Sequence, residues 1–323
     1  MLTAQDLHGV MATAPTFATP DADGLEAAST VDVDNLAAGL DRIIKDGVDV
    51  ISMLGSFGEC YNLFWDEFKT VASTAYEVVN KRVPLLIGST SQNPREAVQK
   101  LKFIRDLGGD GSLLGVPYYN LLGTNTVVNF YREICAMFPD LGILVYHNPE
   151  SHKFTFPVSI FNKLVENPNI IGMKDSHRDT RAFMQLQKII KGKISVFVNQ
   201  TQLFPYVKMG AAGCWSIDAW MGPWPVLHLR NLVDRGDDEE AQRVTNALLG
   251  GSTGVRVAGQ EDGGGGTTPQ RIAGYIDPGP DRRPTLPPTE AGIERATKRA
   301  AYWQELCDKY RPLVEAERLV PTR

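Results

Sequence analysis

From about residue 9 to residue 235 the chain alternates eight short apolar, β-branched runs with longer segments of helical period, and no other feature narrows the fold as much. The runs read GVMATAPTF, VDVISMLG, VPLLIGST, GSLLGVP, GILVYHNP, IIGMKDS, ISVFVNQ and GCWSIDA. Between the first two, Leu36, Leu40, Ile43 and Ile44 recur at helical spacing with charges between them. PREAVQKLKFIRDLGG behaves alike, with Pro94 suited to a first turn and Gly108 to a C-terminal stop. Strands alternating with helices pair in parallel through right-handed crossovers. Eight such units fit a closed (β/α)8 TIM barrel better than an open sheet. No GxGxxG follows the first run, which weakens a dinucleotide-binding reading.

The texture changes after residue 235. Residues 250 to 268 are too rich in glycine for a packed helix or strand and read as a flexible loop, either a linker or a lid. YIDPGPDRRPTLPP reads as a rigid Pro-rich turn. Glu290 to Tyr310 reads as a closing helix with Ile293, Ala296, Ala300, Trp303 and Leu306 on related faces. The expected organisation is a barrel over residues 1–235 and a C-terminal helical appendage over residues 236–323.

A net charge of -5 in 323 residues, with no Lys/Arg-rich run, argues against a nucleic-acid-binding surface. No apolar stretch approaches the roughly 20 residues that cross a bilayer, and the N-terminus lacks a signal-like h-region, so the cytoplasm is the expected compartment. Cys60, Cys135, Cys214 and Cys307 are widely spaced, and the histidines lack HxH or HExxH spacing, so neither a disulfide framework nor a metal centre is suggested.

Lys174 ends the sixth apolar run. The plain reading is an ammonium that snorkels to solvent or pairs with Asp175. In a barrel, however, the C-terminal ends of strands converge on the active site. A desolvated amine there is a nucleophile whose natural partner is a 2-oxo acid, giving a Schiff base. That chemistry needs a proton shuttle, and the fifth run places Tyr146 at the same mouth, 28 residues before Lys174. It also needs a carboxylate anchor. The second run ends in GSFGEC, where Gly55, Ser56, Phe57 and Gly58 form a tight turn whose amides, with the Ser56 hydroxyl, can face an anion.

With GSFGE, VPYYN, YHNP and GMKDS in this order at strand ends, the chain resembles the dihydrodipicolinate synthase and N-acetylneuraminate lyase family over about residues 9 to 235. The resemblance implies that Lys174 is the Schiff-base lysine and Tyr146 the proton shuttle. It implies that Ser56 belongs to the hydroxyl relay and that Tyr119 is lent by a neighbouring subunit, in a tetramer or at least a tight dimer. No metal or diffusible cofactor is implied.

Two departures point away from dihydrodipicolinate synthesis: Phe57 stands where a second hydroxyl residue is usual, and the arginine expected near Ser151 is missing. GSFGEC, NPESHKFTFP and the Gly-Pro-rich turn near residue 278 resemble the family's hydratase-aldolase branch. Those enzymes cleave benzylidenepyruvates from polycyclic aromatic degradation. The expected aromatic pocket comprises Phe57, Trp215, Trp220 and Trp224, with Asn148 and Gly55 beside Tyr146. His147, His152 and Lys153 tilt the expectation toward a carboxylate rather than a hydroxyl ortho substituent. A sugar-acid aldolase or dehydratase, or a dihydrodipicolinate synthase-like enzyme, is the alternative.

Overall fold

The computed structural model describes residues 1–175, 177–250 and 266–318. Eight parallel strands close in chain order: β1 Gly9–Thr13, β2 Val50–Met53, β3 Leu85–Gly88, β4 Gly111–Leu114, β5 Gly142–Tyr146, β6 Ile170–Lys174, β7 Ser195–Asn199 and β8 Gly213–Ser216. Each lies within one of the eight apolar runs. The runs overshoot the strands mainly at their C-terminal ends, because the mouth loops carry apolar residues such as Leu54 and Val116 that mimic continued strand.

The helices form where the sequence supplies both a cap and an apolar stripe. Asp32 accepts from Asn35 N at 3.0 Å and opens helix Val33–Lys45, which turns Leu36, Leu40 and Ile43 inward. Asn93 caps Pro94–Asp106 in the same way. Inside the barrel, Met11, Val50, Leu86, Leu113, Leu144, Ile171 and Phe197 form a small core of their own, with Leu2 and Leu7 packed on it near the chain start and Tyr146 and Trp215 at the strand ends.

The C-terminal part is wired into the barrel. Helix Glu290–Arg318 packs on Trp224–Arg235 and on Thr268–Ala273, and Trp303 Nε1 donates to Gly222 O at 2.9 Å. It runs past the expected end at Tyr310, through Pro312, because Val314 is buried and Glu317 bonds Asn231 and Arg235. Residues 251–265, most of the glycine-rich loop, lie outside the described residues. Among the described residues no helix is long and apolar enough to cross a membrane, and no cluster of three or more His, Cys, Asp or Glu could hold a metal ion.

Candidate active site

The site is built on one register pair. Tyr146 and Lys174 are partners across β5 and β6, downstream of a register shift between Ile143 and Leu144. Paired residues on parallel strands face the same way, so both side chains enter the barrel mouth. Lys174 is only 8% exposed. Its Nζ lies 3.9 Å from the ring centre of Trp215 and 4.7 Å from that of Tyr146, so two aromatic faces enclose the amine.

Asp175 does not pair with Lys174. Successive strand residues alternate faces, and Asp175 points behind the barrel wall to His147 Nδ1 at 3.0 Å and Arg178 Nε at 2.5 Å. His147 follows the same rule, with Phe156 N donating to its Nε2 at 3.4 Å. Both ring nitrogens are therefore engaged in a buried brace. His147, expected to bind substrate, instead fixes the backbone behind β5 and β6, where its own amide donates to Lys174 O at 3.1 Å.

Tyr146 is 3% exposed, and its hydroxyl donates to Ser56 Oγ at 3.1 Å. Asn148 Nδ2 donates to Ser56 Oγ at 3.1 Å and to Tyr146 Oη at 3.3 Å. The Asn148 amide is oriented by its other end, since Oδ1 accepts from Ser151 N at the start of helix Pro149–His152. Burial opposes ionisation of Tyr146. The Lys174 ammonium and the hydrogen bonds with Ser56 and Asn148 outweigh it and hold the phenol below its ordinary range.

The GSFGE turn closes with Glu59 N donating to Ser56 O at 3.1 Å and Cys60 N to Gly55 O at 3.3 Å. Among the described residues the amides of Ser56 and Phe57 donate to no acceptor, as an anion anchor requires. Gly55 is snug against the phenol: a Cβ there would stand 3.8 Å from Tyr146 Oη. Leu54 and Glu59 flank the turn with φ of 54° and 48°, left-handed values that side chains adopt only when held.

Of the expected residues, Lys174, Tyr146, Ser56, Asn148, Gly55 and Trp215 come together, and half-buried Phe57 sits on the adjoining turn. Trp220 and Trp224 do not join them. Trp220 is wholly buried edge-on to Phe17, and Trp224 packs on Tyr275 beneath Arg311, so both serve the core under the C-terminal helices. Tyr119 is 72% exposed, with Lys153 Nζ donating to its carbonyl at 3.3 Å.

The structure adds His152, which the sequence singles out only as a donor. It is 4% exposed, its ring stands edge-on to Tyr146 at 5.0 Å, and Nδ1 has no partner among the described residues. Gly115 makes the room, since a Cβ there would overlap the imidazole.

The model of the dihydrodipicolinate synthetase family matches residues 19–250. The chain belongs to that family. It is accordingly an enzyme, a lyase, and its curated relatives include hydratase-aldolases. One is the trans-O-hydroxybenzylidenepyruvate hydratase-aldolase of Pseudomonas putida, 29% identical over 96% of both chains. Another is the trans-2'-carboxybenzalpyruvate hydratase-aldolase of Nocardioides sp. (strain KP7), 26% identical, also over 96% of both. Among solved structures, PhdJ bound to substrate intermediate superposes with a TM-score of 0.89 at 27% identity, covering 96% of this chain and 99% of that one. The family match ends at residue 250, but these similarities continue through the C-terminal helices.

Proposed function

We propose that this family member is a class I hydratase-aldolase that converts an ortho-substituted benzylidenepyruvate and water to an aromatic aldehyde and pyruvate, in the breakdown of polycyclic aromatic hydrocarbons. The observation that carries it is the Tyr146–Lys174 register pair, with the amine between two aromatic faces and the phenol hydrogen-bonded to Ser56 and Asn148. The relatives' names and their match along nearly the whole chain support the substrate class.

In this reading the Lys174 amine attacks the 2-oxo carbon, water leaves, and a conjugated iminium forms. The substrate carboxylate rests on the free amides of the GSFGE turn. Water adds at the benzylic carbon and gives up a proton, the electron pair moving to nitrogen to leave an enamine, and a proton taken up at the intervening carbon restores the iminium. The Tyr146 phenolate then takes the proton of the new hydroxyl, the carbon–carbon bond breaks, and the aldehyde departs. The enamine left on Lys174 is protonated and hydrolysed to pyruvate. Every group is supplied by the chain, with no metal or diffusible cofactor. Phe57 and Trp215 offer flat apolar surface to the arene, whereas a sugar acid would want hydroxyl-binding groups there.

We prefer the carboxylate-substituted substrate, resting on Lys153 at the rim, since His147 is committed to Asp175 and burial keeps His152 a neutral ring. Tyr119 would be lent by a neighbouring copy in a tetramer, with the cytoplasm as compartment. Incubation with pyruvate and borohydride should add a reduced pyruvyl group to Lys174, detected by peptide mass spectrometry, and Lys174→Ala should abolish it. No adduct, or one on a surface lysine, overturns the mechanism. Turnover of the carboxy and hydroxy substrates tests the preference: Lys153→Met should erase a bias toward the carboxylate, and a native bias toward the hydroxyl compound refutes it.

A further inference from the structure

The segment after residue 274 reaches back into the barrel mouth and ends in a buried arginine. Pro278 O accepts from Ala18 N at 2.8 Å, and Gly279 has φ of 74° with no room for a side chain, since a Cβ would overlap Ala18 O. This close approach delivers Arg282, 2% exposed, to the far side of the GSFGE turn. Its guanidinium donates to Glu59 Oε2 at 2.7 Å, Thr30 Oγ1 at 2.7 Å, Thr30 O at 2.6 Å and Thr16 O at 3.1 Å. Its amide donates to Glu59 Oε1 at 2.8 Å. Both carboxylate oxygens of Glu59 are thus held by one residue that lies 223 positions later and beyond the match to the family model.

Glu59 is the left-handed residue that ends the turn, and Thr16, bonded to the same guanidinium through its carbonyl, donates its hydroxyl to Gly58 O at 2.7 Å. The last two residues of the turn are therefore clamped, one by its side chain and one by its carbonyl. Three residues upstream sits Ser56, whose hydroxyl must stay within 3.1 Å of Tyr146 and whose amide donates to no acceptor among the described residues. A left-handed, non-glycine residue relaxes when its anchor is lost, and a relaxed turn moves that hydroxyl and those amides together.

We propose that Arg282 is a positioning residue for the reaction: through Glu59 it sets the GSFGE turn, and hence the Ser56 relay and the carboxylate anchor. The C-terminal segment is on this account a working part of the active site. The inference rests on the catalytic reading above, and the experiment separates the two.

Arg282→Gln is made in the native chain and in Ser56→Ala, with thermal midpoints recorded and active sites counted by trapped pyruvyl adduct. Per active site, the substitution should lower kcat/KM by about 10- to 100-fold where Ser56 is present, with KM raised as well as kcat reduced, whereas in Ser56→Ala the fall in kcat should shrink to under about 3-fold and only the rise in KM persist. An equal loss in both backgrounds, or a loss confined to the thermal midpoint and the number of active sites, overturns the proposal. If Arg282→Gln does not fold, Arg282→Lys carries the same comparison, because it keeps the buried charge but not the fork that reaches Glu59 and both threonines. Failure of the catalytic reading would show separately, as no adduct on Lys174 in the native chain.

Discussion

Two side chains in contact at the mouth titrate in ways that function and stability can each report. Tyr146 is held below the ordinary phenol value of 10.0 despite its burial, because Lys174, Ser56 and Asn148 favour the phenolate. If the phenolate is the base, activity rises with pH along a limb centred below 10.0. Asn148→Ala removes one stabilising donor, so the limb should move to higher pH, and a kcat/KM profile that keeps its midpoint contradicts the assignment. His152 works the other way. Burial pushes its imidazole from 6.5 down to about 4, so below pH 6.5 the unfolded chain takes up a proton that the folded chain refuses. Stability should therefore fall between pH 6.5 and about 4, by about 3 kcal/mol, and level off below that. His152→Phe keeps a ring in the slot beside Gly115 and should flatten the dependence in urea titrations over this range.

At the scale of elements, the strand ends matter more than the strands. The eight runs were legible because alternation of strand and helix is a long, repeated pattern, and Lys174 and Tyr146 were legible because a barrel mouth gives strand-end polar groups a meaning. The faces were partly legible too: alternation alone puts His147 opposite Tyr146 and Asp175 opposite Lys174. Trp220 and Trp224 were not, since β8 is followed by turns and a helix whose inward face depends on what packs above them. Gly88 on β3 shows how one element sets another. A Cβ there would overlap Leu54 O, at the entrance to the GSFGE turn. Gly88→Ala should cost about 1–3 kcal/mol in urea unfolding and, by displacing the turn, raise KM for the 2-oxo acid. A variant that loses stability at unchanged KM would show that the turn does not anchor the carboxylate.

For the whole molecule, the division into barrel and appendage read from composition hides how the parts are joined. Arg282 to Glu59, Trp303 to Gly222 and Arg299 to Asp218 are contacts between distant positions, and no local pattern announces them. The reverse holds for Tyr119, which is placed by motif yet stands 72% exposed, near exposed Leu121. A phenol so exposed makes no hydrogen bond to Ser56 or Tyr146 of its own chain, whereas a second copy seated on this face could receive it and bury the apolar neighbours in the same step. The two arrangements give opposite results on mixing. Tyr119→Phe and Lys174→Ala are each expected to be nearly inactive. If Tyr119 crosses between copies, a mixed assembly contains a site with the native lysine from one chain and the native tyrosine from the other. Co-expression, or exchange of subunits followed by assay, should then recover activity that neither parent has, in the fraction that sediments as an oligomer. If Tyr119 acts within its own chain, every site in the mixture lacks one of the two residues and no activity returns.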